Sequence, residues 1–291
     1  MSSLLTEQYA DRIREALTDF LPEDEGAAGV MRQVMNYSLS VGGKRVRPAL
    51  TLAFCELCGG DTEKALPFAA AVEYIHTYSL IHDDLPCMDD DDMRRGQPSS
   101  HIRFGEANAL LGGDALLTRA FGILTAADLP PALIVRAVDA LSLYAGADGM
   151  IGGQVLDLAG EGKTLSADEL KQIDILKTGA LIKCACVLGC IAADAPWEQI
   201  AAAENFADAL GIAFQIQDDI LDVTSNTATL GKPVGSDEKN QKNTYVSRLG
   251  LARAREEEAR YTAMAIEALD IFGEAADSLR AFARALSGRL S

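Results

Sequence analysis

Two acidic clusters carry the most specific chemistry in this 291-residue chain: Asp83, Asp84 and Asp89 in DDLPCMD, and Asp218, Asp219 and Asp222 in DDILD. Carboxylates packed this closely repel one another, so such a group is either fully solvated or neutralised by a divalent cation. A single cluster reads first as a solvated helix face. Here each Asp-Asp pair follows apolar residues, Tyr78, Leu80 and Ile81 in one case and Ile212, Phe214 and Ile216 in the other, so both border a core. On a helix, Gln215, Asp218, Asp219 and Asp222 fall at i, i+3, i+4 and i+7 and form one ligand-presenting stripe. Pro86 disfavours helix through Leu85, which predicts that Asp89 returns from a turn. Magnesium takes a few carboxylates, several waters and phosphate oxygens, and two half-sites facing each other across a cavity suit it. The acidic run at Asp89 to Asp92 is no calcium loop, since no register supplies alternating ligands, the required glycine and a closing glutamate.

Cations gather at glycines. GGKRVRP sets Lys44, Arg45 and Arg47 in a turn, Arg94 and Arg95 precede Gly96, Lys177 and Thr178 precede Gly179, and Lys232 and Lys242 follow the second acidic cluster. Each alone is an ordinary surface charge. In a chain of net charge −17, their association with small residues points to phosphate capture. The same net charge argues against nucleic acid or an anionic membrane surface as a partner.

The elements that position these residues read as helices. Leu5, Tyr9, Ile13, Leu17 and Phe20 recur at helical spacing, and a second helix runs from about Val30 to Leu39 before Gly42 and Gly43. Pro48 is placed as the first residue of a helix ending near Gly59. Ser166 and Glu169 form a capping box for a segment running towards Ile191, and Pro196 opens the next helix. Strand-like alternation is nearly absent, and Gly112, Gly113, Gly152 and Gly153 inside helical runs predict close backbone approach. The expectation is all-α, one domain over residues 1–291, with irregular stretches near 86–101 and 225–243. No run of about 18 apolar residues is apparent and the amphipathic N-terminus is unlike a leader, so a soluble cytoplasmic protein with no membrane span is expected. The six cysteines match no zinc pattern and read as free thiols.

YIHTYSLIHDDLPCMDDDDMRRG, GGKRVRP, KTGALIKCA, FQIQDDILD and GKPVGSDEKNQKNTY together resemble the ordered signature of short-chain all-trans prenyl diphosphate synthases, most nearly the bacterial farnesyl diphosphate synthases, over roughly residues 40 to 250. The resemblance implies a bundle of long helices around a central cavity, usually a homodimer. It implies head-to-tail condensation of isopentenyl diphosphate with dimethylallyl and then geranyl diphosphate, through an allylic carbocation. It further implies that Asp83, Asp84, Asp89, Asp218, Asp219 and Asp222 hold magnesium, three ions per active site, on the allylic diphosphate. Arg94, Lys177 and Lys232 would contact that diphosphate, with Lys242 nearby. Lys44, Arg47, His76 and Arg95 match isopentenyl diphosphate positions, and Thr178 and Gln215 would face the allylic carbons. Lys177, Thr178, Gln215 and Lys232 are the expected catalytic set.

Chain length is expected to be set upstream of the first aspartates. Ser79 lies one helical turn before Asp83, and Tyr78 beside it sits roughly 7 Å along the axis, where a ring can floor the cavity. Three rivals stand: a ten-carbon synthase, a catalytically silent subunit, which would be expected to lose an acidic cluster, and a terpene cyclase, which does not need the second diphosphate site of GGKRVRP and His76. His82 and His101 read as structural or surface residues.

Overall fold

Helix starts and stops in this chain are dictated locally, and packing then selects which faces meet. The computed structural model describes residues 4–23, 25–224 and 243–287. Helices α1 (Leu4–Gln8) and α2 (Ala10–Asp19) divide the expected first helix at Tyr9. They lead to α3 (Gly26–Ser40), α4 (Val46–Leu57) and α5 (Thr62–Asp83). Pro48 is the third residue of α4, not the first as its sequence position suggested; a missing N–H is tolerated throughout the first turn. The Asp61 carboxylate accepts the Glu63 N–H at 2.9 Å and caps α5.

The stretch expected to be irregular holds a small hairpin, β1 (Met93–Arg94) against β2 (Gln97–Pro98). Arg95 and Gly96 both take positive φ, +52° and +77°, as a tight primed turn requires. Two-residue strands leave no alternation for sequence to reveal. Then follow α6 (Ser100–Phe104), α7 (Glu106–Leu124), α8 (Pro131–Ala145) and α9 (Met150–Gly160). The capping box at Ser166 and Glu169 forms as expected and opens α10 (Ala167–Asp174), which passes through a π-turn, Ile175–Gly179, into α11 (Ala180–Ala192). Helix α12 (Trp197–Thr224) follows Pro196. Beyond residues 225–242 lie α13 (Tyr245–Leu249), α14 (Leu251–Glu267), a 3₁₀ turn (Asp270–Ala276) and α15 (Asp277–Ser287).

Helices α5 and α11 are apolar almost all round and form the centre of the bundle. Helices α4, α8 and α12 pack on α11, and α7 packs on α5. Contrary to expectation, the helical stretch Ala167–Ala192 is long and apolar enough to cross a membrane by length and composition; 72% of its apolar window is buried inside the protein, as in a core helix. All six thiols are free, and Cys58 Sγ on the end of α4 lies 3.8 Å from Cys190 Sγ on α11.

The predicted close approaches occur at specific partners. Gly113 meets the His82 ring, which thereby spans α7 and α5 and takes the structural role expected of it. Gly153 on α9 abuts the backbone of the π-turn, where an added Cβ would lie 2.1 Å from Lys177 N. Backbone cannot yield as a flexible side chain can, so Gly153→Ala is expected to destabilise the fold by about 1–3 kcal/mol, seen as a lowered urea midpoint. Gly122→Ala on α7, with nothing within 4 Å of the new methyl, should instead be neutral or stabilising, by up to about 1 kcal/mol.

Candidate functional site

Helix α5 delivers Asp83 as its last residue, with Asp84 as the capping residue. The chain then turns, and the Asp89 N–H donates to the Asp83 carbonyl at 2.8 Å, so Asp89 returns beside Asp83 as the proline had suggested. Burial pushes the Asp83 carboxyl up to about 6; Lys177 opposes that push and Asp89 adds to it. The influence of Lys177 on Asp83 places the π-turn beside the first acidic cluster. Asp84 is only 3% exposed, and its carboxylate accepts the Arg94 Nε–H at 2.7 Å and 3.0 Å and an Nη2 donor as well. This side-on pairing aligns Arg94 with the cluster.

On α12 the acidic stripe is graded. Asp218 is exposed, Asp219 half-buried and Asp222 only 2% exposed. Asp219 Oδ2 accepts the Tyr245 backbone N–H at 2.7 Å, which ties the start of α13 to the cluster. The Thr178 hydroxyl donates to Gln215 Oε1 at 3.2 Å, so these two predicted residues meet across the π-turn and α12. Lys232 and Lys242 lie outside the described residues.

Lys177 Nζ donates to Asp157 Oδ2 on α9 at 2.5 Å. Sequence reasoning passed over Asp157, and also Gln154 one turn before it, whose Nε2 is buried with no partner among the described residues. Their i, i+3 spacing after Gly152 and Gly153 was the available signal. Asp174 was missed too: it is 8% exposed, ends α10 immediately before the π-turn, and faces the Tyr245 hydroxyl.

A cavity of about 570 Å³ gathers Lys44, Arg47, His76 and Arg95, the four residues matched to a second diphosphate, with Arg45, Glu73, Ile182, Leu210, Phe214 and Leu286. The guanidinium of Arg95 lies on the Gly42–Gly43 turn and donates to the Gly42 carbonyl, and a Cβ on Gly43 would sit 2.7 Å from Arg95 Nη1. Burial pulls the His76 imidazole well below its ordinary value, and the nearby Arg47 and Arg95 pull it further, so it stands neutral among cations. Arg47 Nε is buried with no partner among the described residues. Nearer the first cluster, Tyr78 is 5% exposed, stacks edge-on against His82 at 5.6 Å between centroids, and buries its hydroxyl without a partner among the described residues. The Ser79 hydroxyl donates to the His76 carbonyl at 2.9 Å.

The donor set in both clusters is carboxylate oxygen, the chemistry magnesium takes. Among the described residues no three His, Cys, Asp or Glu side chains close on one point as a complete metal cage.

The family model described as polyprenyl synthetase matches residues 28–277. Farnesyl diphosphate synthase of Geobacillus stearothermophilus is 45% identical over 263 residues, covering 88% of each chain. Farnesyl diphosphate synthase of Escherichia coli is 46% identical over 255 residues, covering 86% of this chain and 82% of that one. The apo crystal structure of an FPP/GFPP synthase from Zymomonas mobilis superposes with a TM-score of 0.87 at 37% identity, covering 97% of both chains.

Asp174 gives a titration that can be checked without ligands. Burial pushes its carboxyl up to about 7, with Tyr245 pulling down and Asp157 pushing up. A carboxyl whose folded value exceeds its unfolded one, about 4, contributes most below pH 4, and that contribution is lost as pH rises through 7. Asp174→Asn is therefore expected to be more stable than the parent at pH 8, by about 2–4 kcal/mol. Urea melts should show this advantage shrinking as pH falls from 7 to 5.

Proposed function

We infer that this chain, which belongs to the polyprenyl synthetase family, catalyses the head-to-tail condensation of isopentenyl diphosphate with dimethylallyl and then geranyl diphosphate to give farnesyl diphosphate. The single observation that carries this reading is the pairing of an acidic half-site beside Lys177 with a separate basic cavity at Lys44, Arg47, His76 and Arg95. Two anionic substrates need two such places, and a cyclase needs one. Both acidic clusters are present, which disfavours a silent subunit. Farnesyl diphosphate synthases at 45% and 46% identity support a fifteen-carbon product.

In this reading Asp83, Asp84, Asp89, Asp218, Asp219 and Asp222 would hold magnesium, three ions when substrate is bound, with Asp84 also orienting Arg94. The metal would supply positive charge to neutralise the diphosphate as it leaves. Lys177, steered by Asp157, and Arg94, steered by Asp84, place positive charge where the allylic carbon–oxygen bond breaks. Lys232 and Lys242 belong to the same diphosphate. The isopentenyl double bond then attacks the allylic cation, a carbon–carbon bond forms, and the departing diphosphate accepts the proton lost from the adjacent carbon. Thr178 and Gln215, already bonded to each other, present oxygens beside the cation, while Phe214, Leu210 and Ile182 line a wall that excludes water. Neutral His76 donates a hydrogen bond to the second diphosphate, and Lys44, Arg47 and Arg95 supply its charge.

One domain performs this reaction in the cytoplasm, as a homodimer. Leu110 and Leu111 on α7, Leu143 on α8, and Ile151 and Val155 on α9 are exposed apolar side chains that contact with a second copy would cover. Purified protein given magnesium, isopentenyl diphosphate and each allylic primer should release farnesyl diphosphate, and a chelator should abolish turnover. Consumption of primer without isopentenyl diphosphate would point to a cyclase instead. Tyr78→Ala opens the floor and is expected to shift products beyond fifteen carbons, read by chromatography of the dephosphorylated alcohols. Unchanged product length would assign Tyr78 to packing alone.

A further inference from the structure

Among the described residues that line the basic cavity one is an acid, Glu73, and electrostatics alone gives it no reason to be where an anion must bind. Glu73 is 2% exposed on α5, one turn before His76. Its Oε1 accepts Arg45 Nη1 at 2.6 Å, and Arg45 Nη2 donates to the Leu39 carbonyl at the end of α3. Arg45 thus bridges α3 and α5 although it sits in the middle of the cationic turn. Its backbone is left-handed, φ +50° and ψ +38°, a conformation unfavourable for a residue with a Cβ and kept only where surrounding contacts hold it. Lys44, directly before this fixed point, and Arg47, two residues after it, line the cavity with Arg45 itself and Arg95.

We propose that Glu73 is a positioning residue for the isopentenyl diphosphate site, fixing Arg45 so that the turn presents Lys44 and Arg47 in a preformed arrangement. The inference rests on the reading of the cavity given above. Preorganisation lowers the ordering cost at binding, because the turn does not wait for the ligand to assemble it. All three cations of GGKRVRP line the cavity, and Arg45 is the one whose guanidinium is tied to Glu73 and to the Leu39 carbonyl.

The sign of one substitution separates this role from simple charge. If Glu73 acted only as a nearby negative charge, Glu73→Gln would tighten diphosphate binding; as a positioning residue it loosens it. Steady-state kinetics of Glu73→Gln should show the KM for isopentenyl diphosphate raised about tenfold or more, with the KM for geranyl diphosphate within about twofold of the parent. Arg45→Met should raise the same KM by a similar factor, and the double variant should be no worse than either single one, since both break one contact. Calorimetric titration with inorganic pyrophosphate gives the same comparison without turnover, and Glu73→Asp, which keeps the charge but draws it back by one methylene, should fall between parent and Glu73→Gln. An unchanged or lowered KM in Glu73→Gln, additive single variants, or an equal rise for both substrates overturns the inference while condensation by the parent stands. Absence of condensation in the parent overturns the underlying reading and this inference with it.

Discussion

Repulsion between carboxylates held in a water-poor place is the constraint around which the rest is arranged. Asp83 ends a helix that is apolar almost all round, so its charge is raised in cost by burial and again by Asp89. A core would expel such a group. The bundle instead keeps it by bringing cations to the same spot from elsewhere: Lys177 from the π-turn and Arg94 from the hairpin. The resulting electrostatic deficit is what makes the place receptive to divalent ions carrying a diphosphate.

The cations need steering as much as the anions do. Each is held by an acid: Arg94 by Asp84, Lys177 by Asp157, Arg45 by Glu73. Long flexible side chains lose much rotamer freedom when a ligand fixes them, and these pairings remove that freedom beforehand. The design trades folding stability for a fixed geometry, since groups such as Asp174 and Asp83 lie well above their ordinary range.

What the sequence disclosed was what is decided locally. The capping box at Ser166, the helix after Pro196 and the turn after Pro86 follow from residues within a few positions of one another. The motif residues were also legible, because diphosphate chemistry demands particular side chains in order along the chain. Glu73 and Asp157 escaped because their partners lie 28 and 20 residues away in sequence, and a lone acid inside a helical run carries no mark of a distant lysine or arginine. The hairpin at Met93–Pro98 escaped because it is too short to alternate, and the apolar content of 167–192 was hidden by polar residues at its start.

The π-turn at Ile175–Gly179 has a bearing on how this chain can vary over generations. A wider turn accommodates one residue more than an α-helix would, and it sets the angular phase between α10 and α11. Deleting a single codon there would close the wide turn into regular α-helix, keeping α10 and α11 in phase but displacing Lys177 and Thr178 from Asp157 and Gln215. Length changes that connections such as Thr125 to Pro130, between α7 and α8, absorb without consequence would in this five-residue stretch leave the bundle standing and disarrange the site.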